Sequence, residues 1–201
     1  IVLPLISDNP TVSDVMGAET LSSFIDDYDA GEIEYEYTDF NHPVYVMYSS
    51  GTTGVPKCIV HSAGGVLLMQ KKEHMLHCDN GHGSRVFYFT TCGWMMWNWL
   101  VTGLSCGSTL MLYDGSPFAP DGNILFDFAE EEGITFFGTS AKYIDALNKW
   151  GLAPIKTHNL DSVEAIGSTG SPLAPESFDY VYESVKKDVQ LSSMSGGTDL
   201  L

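Results

Sequence analysis

The 201-residue sequence is 44% hydrophobic and 17% charged, enough apolar material for one globular domain, or a large piece of one, with a sizeable core. Its formal net charge of −17 argues against a nucleic-acid partner and against an anionic membrane surface, since both would be repelled. A small anionic ligand is not excluded, because a local loop stays attractive within an acidic protein. No apolar run is long enough to span a bilayer. The four cysteines, Cys58, Cys78, Cys92 and Cys106, form no CxxC pair and have no zinc-type spacing to a histidine pair. They read as reduced thiols of a cytosolic protein, most of them packing residues.

Residues 1–6 are expected to form a strand, not a signal peptide. With no methionine at its start and no helix or tail after Gly196-Gly197-Thr198-Asp199-Leu200-Leu201, the sequence reads as a piece cut at both ends. Residues 7–17 are polar and turn-rich. Leu21, Phe24 and Ile25 have helical spacing and predict a short helix over 19–28. Residues 29–41 are acidic, and the alternation of Ile33, Tyr35 and Tyr37 predicts a strand or an extended arm, to which no function is assigned. Val44-Tyr45-Val46-Met47 reads as a buried strand.

A polar loop follows, and Cys58-Ile59-Val60-His61 is the returning strand. Ser62 is the expected N-cap of helical residues 65–78. After a turn at 80–83, the β-prone run Val86-Phe87-Tyr88-Phe89 predicts a strand over 85–91. Residues 93–104 begin as a loop and become a helix, 108–113 form a strand, and 114–121 form a turn. A helix over Ile124–Glu132 should end at Gly133, a good C′ residue. A strand over 134–137, a helix to Trp150 capped by Ser140, and a strand over 163–166 come next. Gly167-Ser168-Thr169-Gly170-Ser171-Pro172 then reads as a turn, Pro175 opens a helix to about Lys187, and 189–191 form the last strand. Strands alternating with helices predict an α/β fold of layered helices and largely parallel sheets. Ligands gather at the carboxyl ends of strands in such sheets. The segments at 49–57, 167–172 and 196–199 all follow expected strands, so they are expected to converge on one pocket.

The loop Ser49-Ser50-Gly51-Thr52-Thr53-Gly54-Val55-Pro56-Lys57 carries the clearest chemistry. Glycines let the backbone approach a ligand, and successive N–H groups in such a turn make an anion-binding concavity. Four hydroxyls add donors and Lys57 adds a compact positive charge, so the natural guest is a polyphosphate. It is not a Walker A loop, because two residues and not four separate Gly51 from Gly54, and Val-Pro precedes the lysine. Three other segments are open to two readings each. Three tryptophans within six residues at 94–99 make an apolar wall, of a core or of a pocket. The turn at 167–172 and the Gly-Thr-Asp at 197–199 are ordinary surface turns when taken alone. His74 and His77 are three apart on an expected helix and read as solvated polar residues, not metal ligands, and His61 reads as structural, with a place beside the active site open to it.

All nine positions of Ser49–Lys57 fit the phosphate loop of the adenylate-forming enzymes, the acyl-CoA synthetase family. From Val44 onward the chain resembles that family, and within it the members that activate acetoacetate. The resemblance implies the large N-terminal domain of an adenylate-forming enzyme, with residues 1–201 a part of its AMP-binding domain and the small C-terminal domain absent. It implies that ATP and coenzyme A are substrates, that magnesium is a cofactor, and that acetoacetate is the acid; acetate, propionate or another short acid are the alternatives, as is a non-catalytic ATP-binding relative. Ser49, Ser50, Gly51, Thr52, Thr53, Gly54 and Lys57 would hold phosphate with Thr198, and Asp199 would help hold magnesium. Gly170, Ser171 and Pro172 match the segment that packs on adenine, with serine in place of the family's glutamate. Trp94, Met95 and Met96 match the acyl-pocket segment, and Thr169 is taken as another pocket wall and as a donor to the acid's keto oxygen. Gly196 stands where acetate-activating members carry a tryptophan that closes the pocket. No catalytic residue is expected in this stretch, since the family's adenylation lysine lies downstream and Lys57 does not match it.

Overall fold

A computed structural model of the chain describes residues 1–3, 11–13, 15–49 and 54–200. It divides into two compact units, Ile1–Tyr37 and Thr38–Leu201. In the first, the short helix α1 (Leu21–Ile25) starts where Thr20 Oγ1 accepts from the Ser23 N–H at 3.1 Å, a side-chain N-cap. The strand expected over 1–6 is represented among the described residues by a single bridge between Val2 and Thr20, and 4–6 lie outside them. Residues 29–37 have no strand partner, and Ile33, Tyr35 and Tyr37 are exposed; of the two readings, the extended arm holds.

In the second unit, β1 (Pro43–Ser49) and β2 (Lys57–Ser62) form a separate antiparallel ribbon in which Ser49 faces Lys57 and Tyr45 faces His61. The strand at 44–47 is therefore correct in type and wrong in burial, with Val44, Val46 and Tyr48 exposed. Each strand of a two-stranded ribbon has one neighbour only, and apolar side chains on it stay in solvent unless another layer covers them. Helix α2 (Ala63–Lys72) follows with Ser62 at its N-cap position, although the serine side chain makes no cap bond, and the helix runs on into a π-turn at Glu73–His77.

The main sheet has five parallel strands in the order β4-β3-β5-β6-β7: β3 (Arg85–Tyr88), β4 (Thr109–Met111), β5 (Phe136–Ser140), β6 (Ala165–Thr169) and β7 (Gln190–Ser193). Period-two alternation splits the sheet between two cores. Val86, Tyr88, Phe136 and Ala165 pack on Met96, Trp99 and Leu100 of α3 (Met95–Thr102). Phe87, Phe137 and Ile166 pack on the other side, against α4 (Ile124–Glu132), α5 (Ala141–Lys149) and α6 (Pro175–Tyr180) with the π-turn Val181–Val185 that continues it. Cover on both faces is what parallel strands need.

Two boundaries fall where capping chemistry puts them. Gly133 ends α4 in the left-handed region at φ 60°, and Ser140 Oγ accepts from the Tyr143 N–H at 3.3 Å to start α5. Others move. The strand expected over 85–91 stops at Tyr88, and β6 runs on through Gly167, Ser168 and Thr169, so the turn begins only at Gly170, at φ 92°. Small residues continue the strand because a Cβ at Gly167 would lie 2.7 Å from the Phe136 ring; the glycine makes room for that ring.

All four cysteines are unpaired. Cys58 and Cys92 are exposed and Cys106 is half-buried, so the expectation that most are packing residues fails; Cys78 alone packs on a core cluster. Burial there pushes its thiol up to about 12, with Glu73 adding to the shift, which leaves it protonated and inert. No helix of the described residues is long and apolar enough to cross a membrane.

Candidate functional site

The carboxyl ends of β6 and β7 meet the start of α3 and one side of α2 around a cavity of about 270 Å³. Met95, Met96 and Trp99 come from α3, Met69 and Gln70 from α2, and Thr169 from the end of β6. Residues 194–197 close it from the segment after β7. That segment is tied down twice: the Met194 N–H donates to the Ser168 carbonyl at 2.7 Å, and Thr169 Oγ1 donates to the Met194 carbonyl at 2.8 Å. Thr169 lines the cavity, and the single hydrogen of its hydroxyl is engaged with the Met194 carbonyl. In this arrangement that hydrogen is turned to the Met194 carbonyl, and donation to a ligand oxygen would require it to leave that bond.

Met95, Met96, Thr169 and Gly196 are thus brought together, and Trp94 is not among the residues that line the cavity. Trp94 is the N-cap residue of α3, with its ring edge-on to Tyr88 at 5.8 Å and its Cζ2 3.8 Å from where a Cβ on Gly170 would stand. Trp99 takes the wall position, four residues after Met95 on the same helical face. Gly196 does not have the positive φ that a glycine-only turn requires, and a Cβ built on it meets nothing within 4 Å. Its backbone does not demand glycine, and the space beside it is open.

Beside this cavity lies a more polar cleft of about 410 Å³, lined by Ser49, Lys57, Ile59, Thr198 and Asp199. Ser49 and Lys57 are the paired residues at the two ends of the glycine loop, while Ser50, Gly51, Thr52 and Thr53 lie outside the described residues. His61 Nε2 donates to the Thr198 carbonyl at 2.7 Å and fixes the 194–200 segment to β2. His61, read from the sequence as structural with a place beside the site open to it, ties together the two halves of this cleft. The Asp199 carboxylate folds against Gly197, where any side chain would displace it. Gly170, Ser171 and Pro172 are exposed at the end of β6 and line neither space. Among the described residues no group of three or more His, Cys, Asp or Glu side chains stands ready for a metal. A single carboxylate opposite a lysine suits a hard cation that arrives with phosphate oxygens of its own.

His74 corrects another expectation. It is fully buried and not solvated. Its Nε2–H donates to the Trp99 carbonyl at 2.7 Å, its Nδ1 accepts from Asn80 Nδ2 at 3.1 Å, and its ring stacks on Trp99 at 3.9 Å. These partners fit the neutral ring and hold Trp99 against the cavity. Burial lowers its pKa from the usual 6.5, while the Trp99 carbonyl and Glu73 pull the other way. Because the unfolded chain takes up the proton first, this contribution to stability is complete above about pH 6.5 and is lost as the pH falls through and below that value. In the full-length protein, a His74→Gln variant should therefore lose less thermal stability than wild type between about pH 7.5 and about pH 5.5. Equal losses would contradict the neutral buried ring.

Comparison with known proteins fits this geometry. The chain is 57% identical over 202 residues to the acetoacetyl-coenzyme A synthetase of Rhizobium meliloti (strain 1021), covering all of this chain and 31% of that protein. It is 46% identical over 208 residues to the acetoacetyl-CoA synthetase of Gallus gallus, again covering all of this chain and 31% of the relative. The solved structure of acetoacetyl-CoA synthetase from Streptomyces lividans superposes with a TM-score of 0.84 at 42% identity, over 98% of this chain and 30% of that one. The chain thus spans about a third of the length of the relatives it matches. Residues 4–199 match the family model of the AMP-binding enzymes, and the chain belongs to that family.

Proposed function

We propose that this chain forms part of the adenylation domain of an acid–thiol ligase that activates acetoacetate with ATP and passes it to coenzyme A. A carboxylate is a poor acyl donor because its leaving group would be oxide. Attack of an acetoacetate oxygen on the α-phosphorus of ATP forms acetoacetyl-AMP and expels pyrophosphate. The coenzyme A thiol then adds to the acyl carbon, loses its proton and displaces AMP, giving acetoacetyl-CoA.

The observation that carries this is that one segment, 194–200, walls both spaces: Gly196 and Gly197 bound the apolar cavity, and Thr198 and Asp199 bound the polar cleft. An acyl chain in the first would present its carboxylate to a phosphate in the second. Residues 49–54 and Lys57, with Thr198, would hold the phosphates, and Gly170, Ser171 and Pro172 would contact adenine through the backbone. Met95, Met96, Thr169 and Gly196 would surround the acyl group, with Trp94 behind them. Asp199 would hold Mg²⁺, which supplies charge neutralisation for the polyphosphate. The task of these residues is positioning and electrostatic stabilisation. The unpaired cysteines fit a reducing compartment, and we place the reaction in the cytosol.

The test is pyrophosphate release by the full-length protein across a panel of short acids. Release should depend on the acid and be fastest with acetoacetate. Phosphate release without any acid would make the protein a nucleotide hydrolase, and binding of ATP with no turnover on any acid would make it a non-catalytic relative.

A further inference from the structure

The apolar cavity contains one polar group that its surroundings leave unsatisfied. Gln70, on α2, is fully buried and lines the cavity. Its Oε1 accepts from Thr102 Oγ1, a hydroxyl that also lies 3.0 Å from the Asn98 carbonyl. Its Nε2 has no hydrogen-bond partner among the described residues. The methionines and Trp99 around it offer no strong acceptor. A buried amide N–H₂ left unpaired is costly; this one is closed to solvent, so a turn of the Gln70 side chain toward the cavity that brings a ligand oxygen against it removes that cost.

The other polar side chains on the cavity wall are accounted for differently. The Thr169 hydrogen goes to the Met194 carbonyl, Lys72 is paired with Glu73 at 2.6 Å, and Ser195 is exposed and satisfied by water at will. Among the side chains lining the cavity, Gln70 alone is both fully buried and unpaired.

We propose that the Gln70 side-chain amide is the donor that recognises the C3 oxo oxygen of a 3-oxo acid, making Gln70 the residue that distinguishes such an acid from a plain fatty acid of the same length. The proposal rests on the function proposed above. It divides specificity between two positions: Gly196 sets the length that the cavity admits, and Gln70 reads the oxygen. A ketone is an acceptor only, so it complements an N–H donor, whereas a methylene in its place would leave the amide unsatisfied. Sites built to hydrogen-bond a substrate group reject the analogue lacking it far more strongly than they reject a missing methylene.

The comparison that isolates the oxygen is acetoacetate against butyrate, which has the same four-carbon chain and no oxo group. Wild-type full-length protein should prefer acetoacetate in kcat/KM by at least about tenfold. Gln70→Met, which keeps the length and removes the donor, and Gln70→Glu, which keeps an oxygen for Thr102 and replaces the donor with an acceptor, should each lower the acetoacetate-to-butyrate ratio about tenfold or more. Thr102→Val, which releases the amide from its anchor without touching the cavity, should lower the ratio in the same direction, and it decides the matter if the buried Gln70 variants do not fold. A ratio unchanged from wild type in the variants that fold overturns the assignment of Gln70 while leaving the proposed function intact. A wild-type protein that turns over neither acetoacetate nor any other short acid overturns the proposed function itself, and the role of Gln70 with it.

Discussion

Gly196→Trp in the full-length protein should move substrate preference from acetoacetate toward acetate by at least about tenfold in the specificity ratio, since one methylene in a pocket is worth roughly 1–3 kcal/mol and acetoacetate is longer by more than that. The residue borders a cavity of about 270 Å³, and a Cβ added there meets nothing within 4 Å. An indole there is expected to enter the cavity that Gly196 shares with Met95, Met96 and Thr169. The rival account, a glycine kept for a tight turn, requires a positive φ that Gly196 does not have. Gly196→Ala separates the two: alanine should be tolerated with both acids. Loss of both activities in the alanine variant would restore the turn explanation. A folded tryptophan variant with the wild-type ratio would place the acyl group elsewhere.

Lys57→Ala should raise the concentration of ATP needed for half-maximal turnover more than that of acetoacetate. Lys57 opens β2, faces Ser49 across the ends of the glycine loop, and lines the same cleft as Thr198 and Asp199. A hydrogen bond to a charged group is worth about 1.5–3 kcal/mol, so the expected loss is about tenfold to about a hundredfold. The effect should shrink as salt rises, because an exposed charge is screened. Steady-state kinetics with each substrate varied in turn reads it, and unchanged ATP saturation at normal turnover would remove Lys57 from the phosphate site.

What was legible in the sequence followed from local rules. Gly133 and Ser140 set helix boundaries through backbone freedom and a side-chain cap, both decided within one helical turn. The strand–helix alternation gave the parallel sheet, and Met95, Met96, Thr169 and Gly196 line one cavity because they stand in the first turn of α3, at the end of β6 and shortly after β7. Burial was less legible. The apolar run at 44–47 looks like a core strand, yet its exposure depends on how many strands the sheet has. His74 looked like a solvated helix residue, and its burial depends on Trp99 and Asn80, 25 and 6 residues away along the chain. Trp94 and Trp99 were indistinguishable by composition; the helix start at Met95 decides which of them faces the cavity. Gln70 carried no signal at all, because a lone glutamine in a helix becomes informative only when its unpaired atom is seen in an apolar wall.

The most direct measurement is a crystal structure of the full-length protein with a non-hydrolysable acetoacetyl-adenylate analogue. The four-carbon chain should lie in the cavity against Met95, Met96 and Trp99, passing Gly196, with the phosphate mimic directed toward Thr198 and Lys57. An acyl chain lodged outside that cavity, or a nucleotide base filling it, would contradict the assignment.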